Sequence, residues 1–460
     1  MRALPALALC ALALTVALAT TSASGVTGPE VNVSKLPGAQ SEATVAIDPS
    51  NDQVLLAGSN NLVEGTMPVY SSTDGGVTWQ AGTTYPPPPS RSVSCAGDPG
   101  VGIDATGRQY YSYLRATPCA TGKPRLFVVS RPGPDTSWSK PVLVAHPGRS
   151  RYDDKPAIAV DTSAASPYLN RVYVAWSRIS HRSVYSIVLS HSDDGGRTWS
   201  RPVKVNRDGS VLSYASVAVS RRGIVYVAWD DSSSFSLEIA RSTDGGARFE
   251  PQRHIVSFSI RPIPHCGSGV VIPAQRLACI HANPIVSIDR SRGRYSGRVY
   301  VSYANTHFTG SNQILVAVFN SRLRPLAVSG SRGEAVPVVR TAAPDRPDLF
   351  WPQSAVDRWT GVLWVCFYDT TGDPERKRAY YSCTVSRNGA RTWAPRVRAA
   401  SVASDETQPD ADNRAYGDYE GLAVAEGVAY PIWTDSRDLA TLAEEIYTAR
   451  VTLADFKRSG

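Results

Sequence analysis

Charged residues are scarce in this chain of 460 residues, where Asp, Glu, Lys and Arg together make up 19%. The 48 Lys and Arg exceed the 40 Asp and Glu, which leaves a formal charge of +8. The arginines are scattered singly, however, and no run forms the dense basic stripe that a nucleic-acid groove needs. We therefore expect no nucleic-acid partner.

Long apolar runs are missing except at the N-terminus. There an apolar run over residues 3–19 follows Arg2 and precedes the small, mostly polar residues 20–25. This order is typical of an export signal. We predict that residues 1–25 are a signal peptide and that the mature protein is secreted and extracellular. Elsewhere no stretch reaches the roughly 18 apolar residues of a transmembrane helix, so no membrane span is expected.

Cys-x-x-Cys pairs are absent, which argues against a cysteine-ligated metal site. No metal and no cofactor are expected. Outside the predicted signal peptide the chain has six cysteines that fall as near neighbours. In an exported chain this predicts three local disulfides: Cys95 with Cys119, Cys266 with Cys279, and Cys366 with Cys383. Free buried thiols, or another of the 15 connectivities that six cysteines allow, are the alternatives.

Turn-forming and aromatic residues are plentiful, with 35 Gly, 33 Pro, 21 Tyr, 10 Trp and 9 Phe. This mixture favours many short strands joined by turns over coiled coils or helical solenoids. A sequence segment typical of a short strand that ends in an acidic or turn residue recurs seven times, at residues 44–48, 101–104, 157–161, 216–220, 285–289, 354–357 and 422–426. Its final residues are 56 to 69 positions apart, which indicates a structural repeat.

A second strand rich in Val, Tyr and Trp follows each short strand, as in residues 171–176 and 224–229. Continuous apolar strands of this kind are buried on both faces. After the third strand, several repeats carry a turn of the form Ser-x-Asp-x-Gly-x-x-Trp, at residues 72–79, 192–199, 242–249 and, in degenerate form, 386–393. An Asp or Asn side chain in such a turn accepts backbone N–H groups while the glycines take positive φ.

These turns look like Asp boxes, and with the repeat they make the chain resemble the sialidase-like superfamily of Asp-box (BNR repeat) β-propellers. The resemblance implies that Asp74, Asp194, Asp244 and Asn388 are structural residues at the outer end of a blade, away from the ligand. It covers essentially the whole mature chain.

The seven repeats predict an all-β fold, a β-propeller of seven four-stranded antiparallel blades, with a six-bladed propeller as the alternative. The last repeat has only three strands of its own. Residues 30–36 alternate with period 2 and precede the first repeat, so they can supply the missing strand and close the ring. We expect one domain over residues 26–460, and a monomer.

The loops before each first strand and those between second and third strands emerge on one side of a propeller. On the loops of the first kind the chain places Glu42, Asp98, Tyr152, Asp153, Asp154, Lys155, Tyr214, His281, Asn283, Trp351, Asp418, Tyr419 and Glu420. Those of the second kind carry Arg115, Arg178 and Arg437. Acids that move protons, arginines that clamp a carboxylate and aromatic rings that stack on a sugar suit glycan chemistry.

The resemblance implies a sialidase mechanism, with an Asp acid/base, a Tyr nucleophile paired with a Glu, and three arginines on the substrate carboxylate. The Arg-Ile-Pro signature of the family is absent, since residues 41–45 read Ser-Glu-Ala-Thr-Val. Roles therefore follow from loop position. Asp153 or Asp154 is the candidate acid/base, Tyr419 backed by Glu420 or Asp418 the nucleophile, and Arg115, Arg178 and Arg437 the clamp. Further candidates for substrate binding are Glu42, Tyr152, Lys155, Tyr214, His281 and Trp351.

Three functions fit this sequence. The first is a secreted sialidase-like glycoside hydrolase that acts on acidic extracellular glycans. The second is a polysaccharide lyase on the same scaffold, in which His281 or Tyr214 removes the proton beside a uronate carboxylate. The third is a propeller that binds glycans or proteins without catalysis.

Overall fold

The structure is a computed structural model that describes residues 24–26, 28–82, 95–119, 121–146, 152–180, 182, 184–209, 211–258, 266, 268–305, 311–328, 335–339, 346–408, 416–439 and 443–456. Residues 1–23 of the predicted signal peptide lie outside this set. The described residues form β-strands and turns, with no α-helix among them. Nowhere in this part of the chain is there a helix of the length and apolarity needed to cross a membrane.

The described strands form seven sheets of four or more strands and one separate hairpin. Sheet 1 contains Gln40–Asp48, Asn51–Asn61, Val69–Ser72 and Gln80–Ala81; sheet 2 contains Cys95–Ile103, Gln109–Ala116, Arg125–Arg131 and Val142–Leu143; sheet 3 contains Tyr152–Val160, Val172–Ile179, Tyr185–Ser192 and Val203–Lys204; sheet 4 contains Leu212–Val219, Val225–Asp231, Ser236–Ser242 and Arg253–Ser257. The hairpin consists of Val270–Ile272 and Gln275–Ile280.

Sheet 5 contains Ile285–Ile288, Val299–Asn305, Gln313–Phe319 and Val336–Pro337; sheet 6 contains Leu349–Val356, Leu363–Asp369, Tyr380–Ser386, Val397–Arg398 and the parallel strand Ser24–Gly25; sheet 7 contains Gly421–Ala425, Val428–Asp435, Glu445–Ala449 and Glu30–Asn32, with Val451–Thr452 paired to the start of its second strand. Within each sheet the first four strands are antiparallel neighbours, so each repeat of the sequence forms one sheet.

The second strand of each sheet is largely buried. All residues of Val225–Asp231 and Leu363–Asp369 are buried, and Trp229 and Trp364 are fully enclosed. These strands lack apolar/polar alternation because a neighbouring sheet packs on each face. The predicted burial on both faces is confirmed.

The first strands of successive sheets lie next to one another. The first strand of each sheet contacts that of the next sheet, and the first strand of sheet 7 contacts that of sheet 1. Sheet 7 takes its fourth strand from the N-terminus, where Glu30–Asn32 pairs with Tyr447–Ala449. The prediction that residues from 30–36 supply the missing strand is therefore confirmed, over the first three of them.

The three disulfides join Cys95 to Cys119, Cys266 to Cys279, and Cys366 to Cys383, as predicted. Cys366 and Cys383 face each other in register between the second and third strands of sheet 6. The bond between Cys266 and Cys279 ties the insertion between sheets 4 and 5. Cys95 begins the first strand of sheet 2.

The four turns that resemble Asp boxes share one hydrogen-bond pattern. The side chain in the third position accepts a bond from the Ser hydroxyl two residues before it and from the backbone N–H four residues after it; the acceptors are Asp74, Asp194, Asp244 and Asn388. Gly75 and Gly76 take positive φ in the first turn, as predicted. None of the four acceptors is among the residues that line the cavities described below.

Candidate active site

Each sheet has one residue, within its first strand or just before it, whose backbone has a positive φ. These residues are Glu42, Asp98, Lys155, Tyr214, Asn283, Trp351 and Gly417, with φ between 43° and 72°. In sheets 1, 2, 3, 4 and 6 the residue sits at a shift in register between the first and second strands. Such a bulge redirects a side chain out of the regular alternation. A left-handed conformation is unfavourable for residues other than Gly, and it concentrates at functional sites.

Three cavities lie in a row, since the middle one shares lining residues with each of the other two. The mouth cavity, of about 840 Å³, lies at the bulges and includes Glu42, Asp98, Asp154, Lys155 and Asp418. The middle cavity, of about 290 Å³, shares Lys155 with it and adds Tyr214 and Tyr419. The far cavity, of about 450 Å³, lies beyond Val101 and Ile158, which line both it and the middle cavity. The mouth cavity is thus lined by four carboxylates and one ammonium.

Lys155 is the centre of the mouth cavity. Its Nζ forms an ion pair with Asp418 Oδ2 and lies 3.8 Å from Glu42 Oε1. The same ammonium is 5.4 Å from the centre of the Tyr214 ring, a distance at which cation and ring attract. Only 16% of the Lys155 side chain is exposed, so its charge acts on these carboxylates with little screening by water.

A second set of hydrogen bonds holds the acids in place. Asn60 Nδ2 donates to Glu42 Oε2 at 2.6 Å, and Asn60 Oδ1 accepts from the backbone N–H of Asp98 at 3.1 Å. Asp98 Oδ2 in turn accepts from the backbone N–H of Lys155 at 3.0 Å. Sheets 1, 2 and 3 are therefore linked through Asn60 and Asp98, which orient Glu42 and Lys155.

The acids of the mouth cavity differ in protonation. Burial raises the pKa of Glu42 well above its ordinary value, and burial together with the Asp98 charge raises the pKa of Asp154 to about 6. Burial also acts on Asp418, but the charge of Lys155 and its hydrogen bond hold the pKa of Asp418 below the ordinary value. Asp154 therefore holds a proton more readily than Asp418 does, and acid/base catalysis uses such a difference between two carboxyl groups.

Aromatic side chains form one side of the site. Tyr214 donates through its hydroxyl to Asp418 Oδ1 at 3.4 Å, and its ring centre lies 4.9 Å from that of His281. Burial lowers the pKa of His281 to about 4, so its imidazole is neutral at pH 7. Trp351 is fully buried 6.4 Å from Tyr214 and hydrogen-bonds Gln275. It therefore supports Tyr214 and is not a surface for stacking a sugar, contrary to the sequence-based interpretation.

Asp153 does not share the position of Asp154. Neighbouring residues of a strand point to opposite faces, and Asp153 is 0% exposed. Its Oδ1 accepts from Trp176 Nε1 at 2.7 Å and from Arg178 Nε at 3.0 Å. Asp153 is thus a buried structural acid, and of the two candidates for acid/base only Asp154 faces the cavity. Tyr152, paired with Ile179 at the start of sheet 3, does not line the mouth or middle cavity either.

Tyr419 and Glu420 also point apart. The Tyr419 hydroxyl donates to the backbone oxygen of Pro99 at 3.3 Å. Glu420 is buried, where its Oε1 accepts from the Tyr368 hydroxyl at 2.5 Å and from the Thr434 N–H at 3.1 Å. Burial raises the pKa of Glu420 to about 8. The predicted pairing of a Tyr419 nucleophile with Glu420 is therefore wrong in geometry.

The predicted arginine clamp is not assembled. Arg178 is paired with the buried Asp153, and Arg437 is bound to both Glu30 and Asp435. Arg115 lies in sheet 2 opposite Ala96 and Arg125. No arginine is among the described residues that line the mouth cavity; Arg178 and Arg437 are bound instead to acids within or between sheets.

Sequence reasoning placed Glu42, Asp154, Lys155, Tyr214, His281 and Asp418 on one side of the molecule, and the structure brings them together. It gave no role to Asp98 and overlooked Asn60. The regular spacing of the bulge positions, with Asp98 56 residues after Glu42 and 57 before Lys155, is a signal that could have identified Asp98. Asn60 lies at the end of a second strand and carries no such signal.

No protein-family model matches the chain, and no curated protein matches it. Among solved structures, a protein of unknown function from Dyadobacter fermentans DSM 18053 is 16% identical with a TM-score of 0.49, over 75% of this chain and 94% of that chain. The Hadza microbial sialidase Hz136 is 12% identical with a TM-score of 0.49, over 88% and 74%. The α-L-arabinofuranosidase Arb93A from Fusarium graminearum is 11% identical with a TM-score of 0.46, over 94% and 99%. At these values the likeness assigns no activity.

Proposed function

We propose that the protein is a glycoside hydrolase whose active site is the mouth cavity. The observation that carries the proposal is the clustering of four carboxylates around Lys155 in the mouth cavity; the raised pKa values of Glu42 and Asp154 and the lowered pKa of Asp418 agree with it. Glycosidic bonds are cleaved by one carboxylic acid that protonates the leaving oxygen and one carboxylate on the other side of the sugar. Asp154 or Glu42 is the proposed acid, and Asp418 the proposed carboxylate.

The proposed substrate is a neutral glycan, in place of the acidic glycan that the sequence suggested. Four carboxylates and one lysine line the mouth cavity, and an anionic sugar entering it would meet like charges without an arginine to bind its carboxylate. The same charge distribution disfavours a uronate lyase. A cavity of about 840 Å³ is large enough for a short oligosaccharide.

We also infer that the seven sheets are the blades of a seven-bladed propeller, closed by Glu30–Asn32 and forming one domain over residues 26–460. The cyclic contacts between first strands support this architecture. A signal peptide over residues 1–25, secretion as a monomer and an extracellular glycan partner complete the proposal. The three disulfides are compatible with an oxidising compartment.

The test is a screen of the purified protein on neutral hexosides, pentosides and oligosaccharides beside matched uronides and sialosides, with reducing ends as the readout. We expect hydrolysis of a neutral glycoside. Asp154→Asn and Asp418→Asn should each reduce kcat about 100-fold or more, the usual scale for loss of a proton-transfer group. The control is Asp208→Asn, which removes an exposed carboxylate.

Two results would contradict the proposal. One is absence of hydrolysis across the panel by protein that melts cooperatively. The other is hydrolysis that neither Asp154→Asn nor Asp418→Asn reduces more than the control does. Hydrolysis of sialosides or uronides alone would refute the neutral substrate.

A further inference from the structure

The insertion between sheets 4 and 5 forms a short hairpin beside the mouth cavity. Its strands are Val270–Ile272 and Gln275–Ile280, and the disulfide between Cys266 and Cys279 links the residues before the first strand to the end of the second. Ala278, in the second strand, lines the mouth cavity. The hairpin is thus an element outside the seven sheets that reaches the proposed active site.

The seven sheets contribute unequally to the wall of the mouth cavity. Its lining comes from sheets 1, 2 and 3, from the loops that follow the second strands of sheets 1 and 2, and from the residues just before sheet 7. Among the described residues, sheets 4, 5 and 6 contribute nothing to this lining. Ala278 completes it from a hairpin that packs on sheets 4 and 6, so the hairpin forms the wall on the side of those sheets.

Apolar packing holds the hairpin on sheets 4 and 6. Four of its side chains are buried in one cluster with Tyr214 of sheet 4 and Trp351 of sheet 6; they are Val270, Ile272, Ala274 and Ile280. Trp351 also donates through Nε1 to Gln275 Oε1 at 3.4 Å. Because close-packed interiors resist displacement, these contacts on two sheets fix the position of the hairpin relative to the cavity.

The residues on either side of the hairpin are held as well. Before its first strand, the Ser268 hydroxyl donates to the buried Asp230 of sheet 4, whose two carboxylate oxygens lie 2.9 and 3.0 Å away. Gly269 is packed so closely that a Cβ there would lie 3.0 Å from both Cys279 Cβ and His281 Cε1. The insertion is therefore fixed before its first strand, at its disulfide and directly after its second strand.

We propose that the hairpin is a specificity-determining wall of the mouth cavity, and that Ala278 is the residue in it that determines how large a glycan the cavity accepts. This inference rests on the proposed function of the cavity. Ala278 carries only a methyl group, which neither moves a proton nor donates a hydrogen bond, so it affects which substrate fits and not the chemistry of the carboxylates. A larger side chain at this position would take space from the cavity. A ligand that fills the cavity would meet that side chain, whereas a smaller ligand would have room to avoid it.

The test compares the wild type with Ala278→Leu on glycans of increasing length, namely methyl glycosides and tetrasaccharides of arabinose, xylose, glucose and galactose. Reducing ends give kcat/KM, and isothermal titration calorimetry on the same compounds gives Kd. For the sugar that the wild type prefers, we expect the variant to lose about tenfold or more in kcat/KM and in affinity for the tetrasaccharide, the scale on which a packed pocket discriminates by size. Both quantities for the methyl glycoside should stay within about threefold of the wild type.

Val271→Leu is the matched control, because Val271 lies in the first strand of the same hairpin, is 38% exposed and does not line the cavity. Its ratio of tetrasaccharide to methyl glycoside should stay within about twofold of the wild type. If Ala278→Leu does not melt cooperatively, Ala278→Val makes a smaller change and should shift the ratio severalfold in the same direction. A ratio that Ala278→Leu leaves unchanged, or that Val271→Leu shifts equally, would overturn this inference and leave the proposed hydrolase standing. A shift in the ratio of Kd values without hydrolysis would support the wall and contradict the hydrolase, and absence of both binding and hydrolysis would contradict both.

Discussion

Replacing Asp154 with Asn should stabilise the protein at neutral pH while it removes activity. The folded structure raises the pKa of Asp154 from 3.8 to about 6, so the ionised side chain is less favourable in the folded state than in the unfolded chain. At about 1.4 kcal/mol per pKa unit, the full effect is about 3 kcal/mol. Water in the open cavity screens part of it, and we expect about 1 to 3 kcal/mol.

The pH dependence gives this prediction its sign. Below about pH 4 the side chain is protonated in both the folded and the unfolded state, so its raised pKa does not lower the free energy of unfolding. Between about pH 4 and pH 6 the unfolded chain ionises first, so the wild type loses stability that the Asn variant keeps. The advantage of Asp154→Asn should therefore grow by about 1 to 3 kcal/mol from pH 4 to pH 7. The Asn amide oxygen can still accept the N–H of Lys155, which donates to Asp154 Oδ1 at 3.1 Å.

Urea unfolding of both proteins at pH 4, 5, 6 and 7 measures the difference, and Asp208→Asn gives the contribution of removing one exposed carboxylate. Activity assays on the same samples should show a loss of about 100-fold or more. A stability difference that does not change with pH would refute the raised pKa. A pH-dependent gain in stability with full activity would keep the electrostatic argument and remove Asp154 from catalysis.

Four other perturbations separate structural from catalytic residues. Glu420→Gln should leave turnover at pH 6 within a few-fold of the wild type, because a carboxyl with a pKa of about 8 is already neutral there; a 100-fold loss would restore Glu420 to the mechanism. Asp153→Ala should lower the free energy of unfolding by about 3 kcal/mol or more, since it leaves Arg178 without its buried partner, and the folded fraction measured by circular dichroism should keep its turnover. Asp194→Ala should cost about 1 to 2 kcal/mol in urea unfolding through the lost turn hydrogen bonds, again with little change in turnover. Deletion of residues 26–40 should lower Tm by many degrees, because it removes the strand Glu30–Asn32 and the bonds from Arg437 to Glu30; a Tm within a degree or two of the parent would show that this strand is dispensable.

The sequence could predict that these residues lie close together at one end of the sheets, but it could not predict the direction in which each side chain points. Asp153 and Asp154 are adjacent and chemically alike, and the sequence offers no reason to prefer either. Asp153 and Asp154 pair in register with Arg178 and Ser177, so their side chains point to opposite faces, and the register shift between Asp154 and Ala157 then lets Lys155 face the cavity beside Asp154. A bulge depends on the pairing of two strands, which a single strand does not encode.

The predicted arginine clamp is not formed, and the physical reason is related. Loop position alone suggested that Arg115, Arg178 and Arg437 face a ligand. An acid beside a buried guanidinium offsets the free energy lost when the charge leaves water, and for Arg437 the acids include Glu30, which is 407 residues away in the chain. Contacts between such distant residues form only when the first and last repeats meet.

Local patterns determined the parts of this protein that depend on neighbours in sequence: the all-β class, one sheet for each repeat, the turns after the third strands and the three short-range disulfides. Alternation, turn chemistry and cysteine spacing act over tens of residues or fewer, so they can be read along the chain. Only the tertiary structure set the direction in which the pKa of each acid shifts. The ammonium of Lys155 meets Asp418 across 263 residues and lies beside Glu42 from another sheet, and a pKa depends on the charges and burial that these distant segments bring together.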